Sequence, residues 1–154
     1  MIGRLKSGPE KLLVEDYVAR GAAAGRSLGI AVPAVHELAE SRREAVAGRL
    51  AEEAQRLTAA LPPRVFKVVL DERGKVVSSA GFADLLKRHL DGGTSDFAFL
   101  IGGPDGHAQS IRDSAGLVLS FGAMTWPHRL ARVMLAEQIY RAVMILRDHP
   151  YHRP

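Results

Sequence analysis

The sequence predicts an α/β fold in which a parallel sheet carries helices on both faces. Apolar runs at residues 65–70, 97–101 and 117–120 alternate with segments whose apolar residues recur at helical spacing. Strands that alternate with helices are typical of a parallel sheet. The length of 154 residues and the hydrophobic content of 47% fit one core. We therefore expect residues 1–154 to form a single domain.

Two helices are predicted before the first of these strands. Ser7 and Glu10 have the spacing of a capping box, and Pro9 lies inside the first turn of the helix that follows. Residues 41–44 repeat the Ser-x-x-Glu spacing, and helical periodicity then continues until Pro62. The second helix is therefore expected to run for about five turns.

A strand, a turn and a third helix are predicted next. The β-branched run 65–70 is expected to end at the polar residues 71–74, which are typical of a turn. Ser78 and Ser79 then precede a helical pattern that closes at residues 92–93, both of them glycine.

The last predicted helix, residues 130–146, is apolar on almost every side. A helix with so little polar surface lies either at the centre of a core or in an interface with a second copy. In a chain of this length we favour the interface, and so we expect a homodimer.

Two glycine-bearing turns, residues 102–106 and 121–126, follow neighbouring strands of the predicted sheet. Ligands of open parallel sheets bind beyond the carboxyl ends of the strands. Pro-Asp-Gly is also a strong turn signal in its own right, so the first turn alone does not require a ligand. The chain lacks both a phosphate loop and a dinucleotide fingerprint there. Together the two turns predict a pocket for a small molecule.

Several classes of function are disfavoured by residue content. The chain has no cysteine, which excludes disulfides and thiolate metal sites, and His149 and His152 lack a third ligand at plausible spacing. Ser120 has no visible acid-base partner, and Glu137 with Arg141 has the spacing of an ordinary helical ion pair. We expect no metal.

Charge and hydropathy indicate where the protein acts. A net charge of +4 favours a polyanionic partner. No uncharged apolar run reaches the roughly 18 residues of a membrane span, and the first residues lack the apolar region of a signal peptide. We expect a cytoplasmic protein with no membrane partner.

Four motifs in the second half of the chain resemble one known family. They are Phe-Leu-Ile-Gly-Gly-Pro-Asp-Gly at 99–106, Met-Thr-Trp-Pro-His at 124–128, Leu-Ala-Glu-Gln-Ile-Tyr-Arg-Ala at 135–142 and His-Pro-Tyr-His-Arg at 149–153. In these motifs and their order the chain is similar to the ribosomal RNA large subunit methyltransferase H family of the SPOUT class. The resemblance is dense over residues 69–153 and looser before them.

The resemblance implies an activity and a chain path that the residue patterns do not. The family methylates N3 of a pseudouridine in the large-subunit (23S) rRNA of the assembled ribosome, with S-adenosylmethionine as methyl donor and a homodimer as the active form. It also implies a deep C-terminal trefoil knot, with knot and cofactor site in about residues 97–154. The family opens with a full strand of about six to eight residues. Only residues 1–6 precede Ser7 here, so we expect a very short first strand.

Site residues carry over position by position from the resemblance. The catalytic candidates, at positions implicated in the target nucleotide, are Arg141, Tyr151 and His152. The cofactor positions are Leu70, Gly102, Gly103, Phe121, Gly122, Ala123, Met124, Thr125 and Trp126.

Two other functions remain open at this point. One is a non-catalytic RNA-binding or ribosome-binding module that keeps the fold without turnover. The other is a SPOUT methyltransferase with a tRNA or a different rRNA site as its target.

Overall fold

The computed structural model describes residues 1–31 and 34–153, and these residues fall into two compact units. The first unit comprises Met1–Arg4, Val35–Val76 and Thr94–His128. The second unit comprises Leu5–Ala34, Val77–Gly93 and Arg129–Pro154. Each unit therefore draws on separate stretches of the chain.

The first unit contains a parallel sheet, as the sequence predicts. Within the described residues it has three strands, β1 (Phe66–Val76), β2 (Phe97–Ile101) and β3 (Leu117–Ser120), in the order β2-β1-β3. Both neighbours of β1 run parallel to it. The centre of the sheet is apolar, with Val68 and Val69 of β1 almost completely buried. The strand bounds predicted for β2 and β3 are confirmed.

Strand β1 is longer than predicted, and the expected turn at residues 71–74 lies inside it. Leu119 pairs first with Leu70 and again with Lys75, so the pairing shifts register across the intervening residues 71–74. Gly74 permits this arrangement, because a Cβ there would lie 2.7 Å from the backbone of Val118. The prediction that the strand ends at Leu70 is therefore wrong.

Helices α2 (Val46–Ala59) and α4 (Gln109–Asp113) also belong to the first unit. They contribute to a core that joins both helices to the sheet; its buried members are Ile2, Ala54, Leu57, Val69, Leu100 and Ile111. Helix α2 has 14 residues, about four turns, and begins later than predicted. Ser41 is not its cap, because its hydroxyl donates to Glu52 and its N–H donates to Glu53 at 2.8 Å.

The first residues form a minimal strand pairing rather than a full strand. Ile2 donates its N–H to the carbonyl of Ile101 at 3.0 Å, at the end of β2. Gly3 and Leu38 extend the pairing, since Gly3 donates to Leu38 and Leu38 donates to Met1, both at 2.8 Å. The predicted strand at residues 1–6 is thus reduced to a parallel bridge between Ile2 and Leu38.

The second unit is helical and contains α1 (Pro9–Gly25), a 3-10 turn (Arg26–Leu28), α3 (Ser79–Asp91) and α5, which spans His128–Leu146. Helix α3 is capped as predicted, because the Ser78 hydroxyl accepts the N–H of Gly81 at 3.0 Å.

The predicted cap of α1 is wrong. Gly8 holds the N-cap position without a side-chain bond, and Pro9 opens the helix, so Ser7 lies one residue too early to cap it.

Helix α5 is covered along most of its length by the chain itself. Tyr140, Val143 and Met144 pack with Ala24 of α1, and Ala136 forms a second cluster with Leu5 and Val14. From residue 131 to residue 146 every side chain is buried or half-buried. This supports the central position that the sequence left open, and the shared interface stays a prediction.

Candidate functional site

The apolar part of β1 ends beside the carboxyl ends of β2 and β3 in the first unit. Leu70 is in register with Ile101 of β2 and with Leu119 of β3. The turns 102–106 and 121–126 therefore leave the sheet at the same edge, where parallel strands present ligand sites. The cofactor positions expected from the sequence all lie in this first unit, at Leu70 inside β1 and on these two turns.

The first glycine turn is fixed by close packing of the backbone. The N–H of Gly106 donates to the carbonyl of Gly103 at 3.0 Å, and Gly106 has a positive φ of 80°. A Cβ on Gly102 would lie on the carbonyl of Gly106, and a Cβ on Gly103 would lie 2.8 Å from Oε2 of Glu53. Gly102 therefore requires glycine because backbone occupies the space, whereas a side chain at Gly103 would require the Glu53 carboxylate to shift.

An arginine from α2 holds the outer side of the same turn. Arg49 donates from Nε to Oδ2 of Asp105 at 2.6 Å and from Nη2 to Oδ1 at 3.2 Å. Its Nη1 donates to the carbonyls of Arg43 and Glu44. This pairing raises the pKa of Arg49 and lowers the pKa of Asp105. The turn is thereby tied to the segment that precedes α2.

A buried histidine follows the turn directly. His107 is 4% exposed, and its carbonyl accepts a hydrogen bond from Nη1 of Arg112, which also pairs with Asp71 at 3.2 Å. Burial lowers the pKa of His107 below its ordinary value of 6.5, and the Asp71 carboxylate opposes that shift. The His107 imidazole is therefore neutral at physiological pH, which suits its buried position directly after the turn.

The second turn is held at its start and exposed beyond it. Ser120 accepts the N–H of Gly122 and donates its hydroxyl to the Gly122 carbonyl, both at 3.1 Å. Gly122 has a φ of 109°, which favours glycine. Met124 is 72% exposed and Trp126 is 40% exposed. The hydroxyl of Ser120 thus shapes the turn, which agrees with the weak case for a serine nucleophile.

The second unit brings Arg141 and Tyr151 into contact through one carboxylate. Oε1 of Glu137 accepts from Nε of Arg141 at 2.9 Å, from Nη2 at 2.5 Å and from the Tyr151 hydroxyl at 3.1 Å. The Arg141 guanidinium carbon lies 4.9 Å from the centre of the Tyr151 ring. The predicted ion pair of Glu137 and Arg141 is confirmed, but the tyrosine it gathers is not visible from helical spacing.

The protonation of Tyr151 follows from its surroundings. Burial and the neighbouring Glu137 carboxylate raise the pKa of Tyr151 to about 12. The phenol is therefore a hydrogen-bond donor at physiological pH and not a base. The next residue, His152, has its Nδ1 buried without a hydrogen-bond partner in the described part of the chain.

Within residues 1–31 and 34–153, no three His, Asp or Glu side chains are placed to hold a metal ion. None of the helices described combines the length and the hydropathy that crossing a membrane requires.

Sequence reasoning missed the residues that support the glycine turn. These residues are Arg49, Glu53 and His107. Arg49 lies 56 positions from Asp105 in the chain, so no local motif reveals the pair.

Comparison with known proteins assigns the family. A family model described as "Predicted SPOUT methyltransferase" matches residues 1–152. Proteins named ribosomal RNA large subunit methyltransferase H are 49% identical in Brucella anthropi, 50% in Rhodopseudomonas palustris (strain BisB18) and 51% in Allorhizobium ampelinum. Each alignment covers 152 residues, which is 99% of this chain and 95% of the relative. The family predicted from the motifs is therefore confirmed, and this chain belongs to the SPOUT methyltransferases.

Proposed function

We propose that this protein is an S-adenosylmethionine-dependent methyltransferase that methylates N3 of a pseudouridine in 23S rRNA of the assembled ribosome. The observation that carries the proposal is near-complete alignment, at about half identity, with relatives named for large-subunit rRNA methylation. The turns that follow β2 and β3 in the first unit and the Arg141–Tyr151 pair in the second unit support the proposal as candidate sites for cofactor and target.

The donor site of this proposal is the strand edge of the first unit. Leu70, the turn 102–103 and the turn 121–126 would hold S-adenosylmethionine. They fit it chemically, because the backbone of these turns offers N–H and C=O groups beside two exposed apolar side chains, Met124 and Trp126. Apolar side chains of this kind suit an adenine ring. When bound, the cofactor supplies a methyl group on a positively charged sulfur.

The target groups of this proposal lie in the second unit. Arg141 binds the RNA backbone or the base edge. Tyr151 stacks on the base or accepts a hydrogen bond from it, since its one hydroxyl proton is donated to Glu137. N3 of the pseudouridine carries a proton that must leave when the methyl group arrives. Tyr151 is protonated already, because its pKa is about 12. His152, or a nearby water molecule, accepts the N3 proton.

The proposal extends to the architecture of the active form. We propose one SPOUT domain over residues 1–154, with helices on both faces of the sheet and a deep trefoil knot near the C-terminus. We further propose a cytoplasmic homodimer that acts on large-subunit rRNA within the ribosome. The support is membership of the family.

Two measurements test the proposal together. The purified protein is titrated calorimetrically with S-adenosylmethionine, and labelled methyl incorporation is then compared among intact ribosomes lacking the modification, free large-subunit rRNA and tRNA. We expect cofactor binding and incorporation into ribosomes. Binding with incorporation into tRNA would identify a different SPOUT target. A folded protein that binds RNA but no cofactor would instead be the non-catalytic module.

A further inference from the structure

Glu137 is the contact point of the two second-unit residues that the proposed function uses. Its Oε1 is shared by Arg141 and Tyr151, and the arginine also lies over the tyrosine ring at 4.9 Å. Carboxylate, guanidinium and phenol thus form a closed set of three contacts. Moving any one of them changes the geometry of the other two.

The carboxylate is itself held by a second set of hydrogen bonds. Oε2 of Glu137 accepts from Nε2 of Gln138 at 2.7 Å, and Oε1 of Gln138 accepts the hydroxyl of Ser79 at 2.8 Å. These bonds link the Glu137 carboxylate on α5 to the first residue of α3. Side chains supported in this way are pre-organised, whereas an ordinary exposed helical ion pair is free to change rotamer.

The tyrosine is confined from its other sides as well. Its ring meets the ring of Tyr140 edge to face, with centroids 4.8 Å apart. Tyr17 contributes to the raised pKa of Tyr151, behind the larger effects of burial and Glu137. Two aromatic neighbours restrict the ring, so the direction of the hydroxyl depends on its acceptor, Glu137.

We infer that Glu137 is a positioning residue that sets the orientation of Arg141 and Tyr151 toward the target nucleotide. This inference rests on the proposed function. By occupying Nε and Nη2 of Arg141, the carboxylate leaves the Nη1 side of the guanidinium for RNA. By accepting from Tyr151, it keeps the phenol protonated. Glu137 touches neither cofactor nor substrate in this account.

The experiment compares Glu137→Gln and Glu137→Ala with a matched control, Asp16→Asn. Asp16 forms an i,i+4 pair with Arg20 on α1 through the same Nε and Nη2 atoms, but that pair is exposed and has no assigned role. We expect kcat on ribosomes to fall about tenfold in Glu137→Gln and about a hundredfold in Glu137→Ala, since small misplacements are costly. The affinity for S-adenosylmethionine and all constants of Asp16→Asn should not change.

A spectroscopic readout separates this inference from the proposed function. The tyrosines are labelled with carbon-13 at the ring carbon that bears the hydroxyl, and their NMR signals are followed against pH. The signal that is missing in Tyr151→Phe belongs to Tyr151. Removing the carboxylate should lower the pKa of Tyr151, so this signal should titrate at lower pH in Glu137→Gln than in the wild type. An unchanged titration, an unchanged kcat, or an equal loss of cofactor affinity would overturn the inference.

Two further results are distinguishable in the same experiment. If Glu137→Ala does not fold, the near-isosteric Glu137→Gln decides the matter alone. If the wild type methylates no ribosomes, the proposed function fails, and the tyrosine titration still reports whether Glu137 controls Tyr151.

Discussion

The two units each use an arginine–carboxylate pair, but in opposite ways. In the first unit Arg49 is the support, and the group it positions is the backbone turn that carries Asp105. In the second unit Glu137 is the support, and the group it positions is Arg141 itself, together with Tyr151. An arginine–carboxylate pair therefore fixes a backbone turn in the first unit and orients a charged side chain in the second unit.

The two arrangements should fail in different ways. Under the proposed function, the turn at the sheet edge holds the cofactor through backbone groups, so loosening this turn should weaken cofactor binding. Arg141 is proposed to contact the target nucleotide, so displacing it should lower turnover. Substitutions in the two units should therefore separate cofactor affinity from kcat.

Gly102→Ala should have the largest effect. The added methyl group would lie on the carbonyl of Gly106, which is backbone and cannot rotate away. We expect a loss of about 1–3 kcal/mol in the free energy of unfolding, together with loss of cofactor binding. Denaturant unfolding and calorimetry measure these. Gly122→Ala is the control for a positive φ in open space, and its destabilisation should be smaller. Equal losses at both positions would contradict the packing argument.

Arg141→Lys should reduce turnover more than binding. Lysine keeps the charge but not the planar guanidinium that meets Glu137 through two nitrogens and lies over Tyr151. We expect kcat on ribosomes to fall about tenfold, while the dissociation constant for S-adenosylmethionine stays within about twofold. Steady-state kinetics and calorimetry provide the two numbers. Weakened cofactor binding with normal kcat would reverse the assignment.

Arg49→Lys is the same substitution in the first unit and should have the opposite signature. Lysine cannot bridge Asp105 and the carbonyls of Arg43 and Glu44 at once. Because the pair is partly exposed, we expect a modest loss of cofactor affinity, about two- to fivefold. At saturating cofactor, kcat should match the wild type. Lys87→Arg, in an exposed pair with Asp91 on α3, is the control and should change neither value.

The smallest effect is a pH dependence of stability from His107. Its pKa is lowered by burial, so the unfolded chain binds a proton more readily than the folded chain below the ordinary value of 6.5. The contribution to stability is present above that value and is lost as pH falls toward the lowered pKa. Unfolding free energies measured from about pH 7.5 to about pH 5.5 should fall more in the wild type than in His107→Leu. Identical pH slopes would show that the imidazole charges freely in the folded protein.

Sequence patterns predicted those strand and helix limits that are set by residues close together in the chain. The bounds of β2 and β3 follow from short apolar runs stopped by glycine or polar residues, and Ser78 caps α3 through a bond within its own turn. The caps expected at Ser7 and Ser41 failed for different reasons. Pro9 begins its helix one residue too late for Ser7, whereas two carboxylates of α2 bind Ser41. The sequence predicted spacing but not these competing partners.

The candidate site was predictable to the same extent as the fold. The glycine turns and the Glu137–Arg141 pair are visible in short motifs, because each is made by neighbours in the chain. The anchors of those groups are distant: Arg49 reaches Asp105 across 56 positions, and Tyr151 reaches Glu137 across 14. Contacts of that kind depend on the packing of whole elements, which periodicity does not specify.

The most direct test of the central claim is the chemical position of the transferred methyl group. Ribosomes lacking the modification are incubated with the protein and labelled S-adenosylmethionine, the large-subunit rRNA is digested to nucleosides, and the labelled species is identified by mass spectrometry. We expect the label in a pseudouridine methylated at N3. Label in any other nucleoside, or none from a folded protein that binds the cofactor, would contradict it.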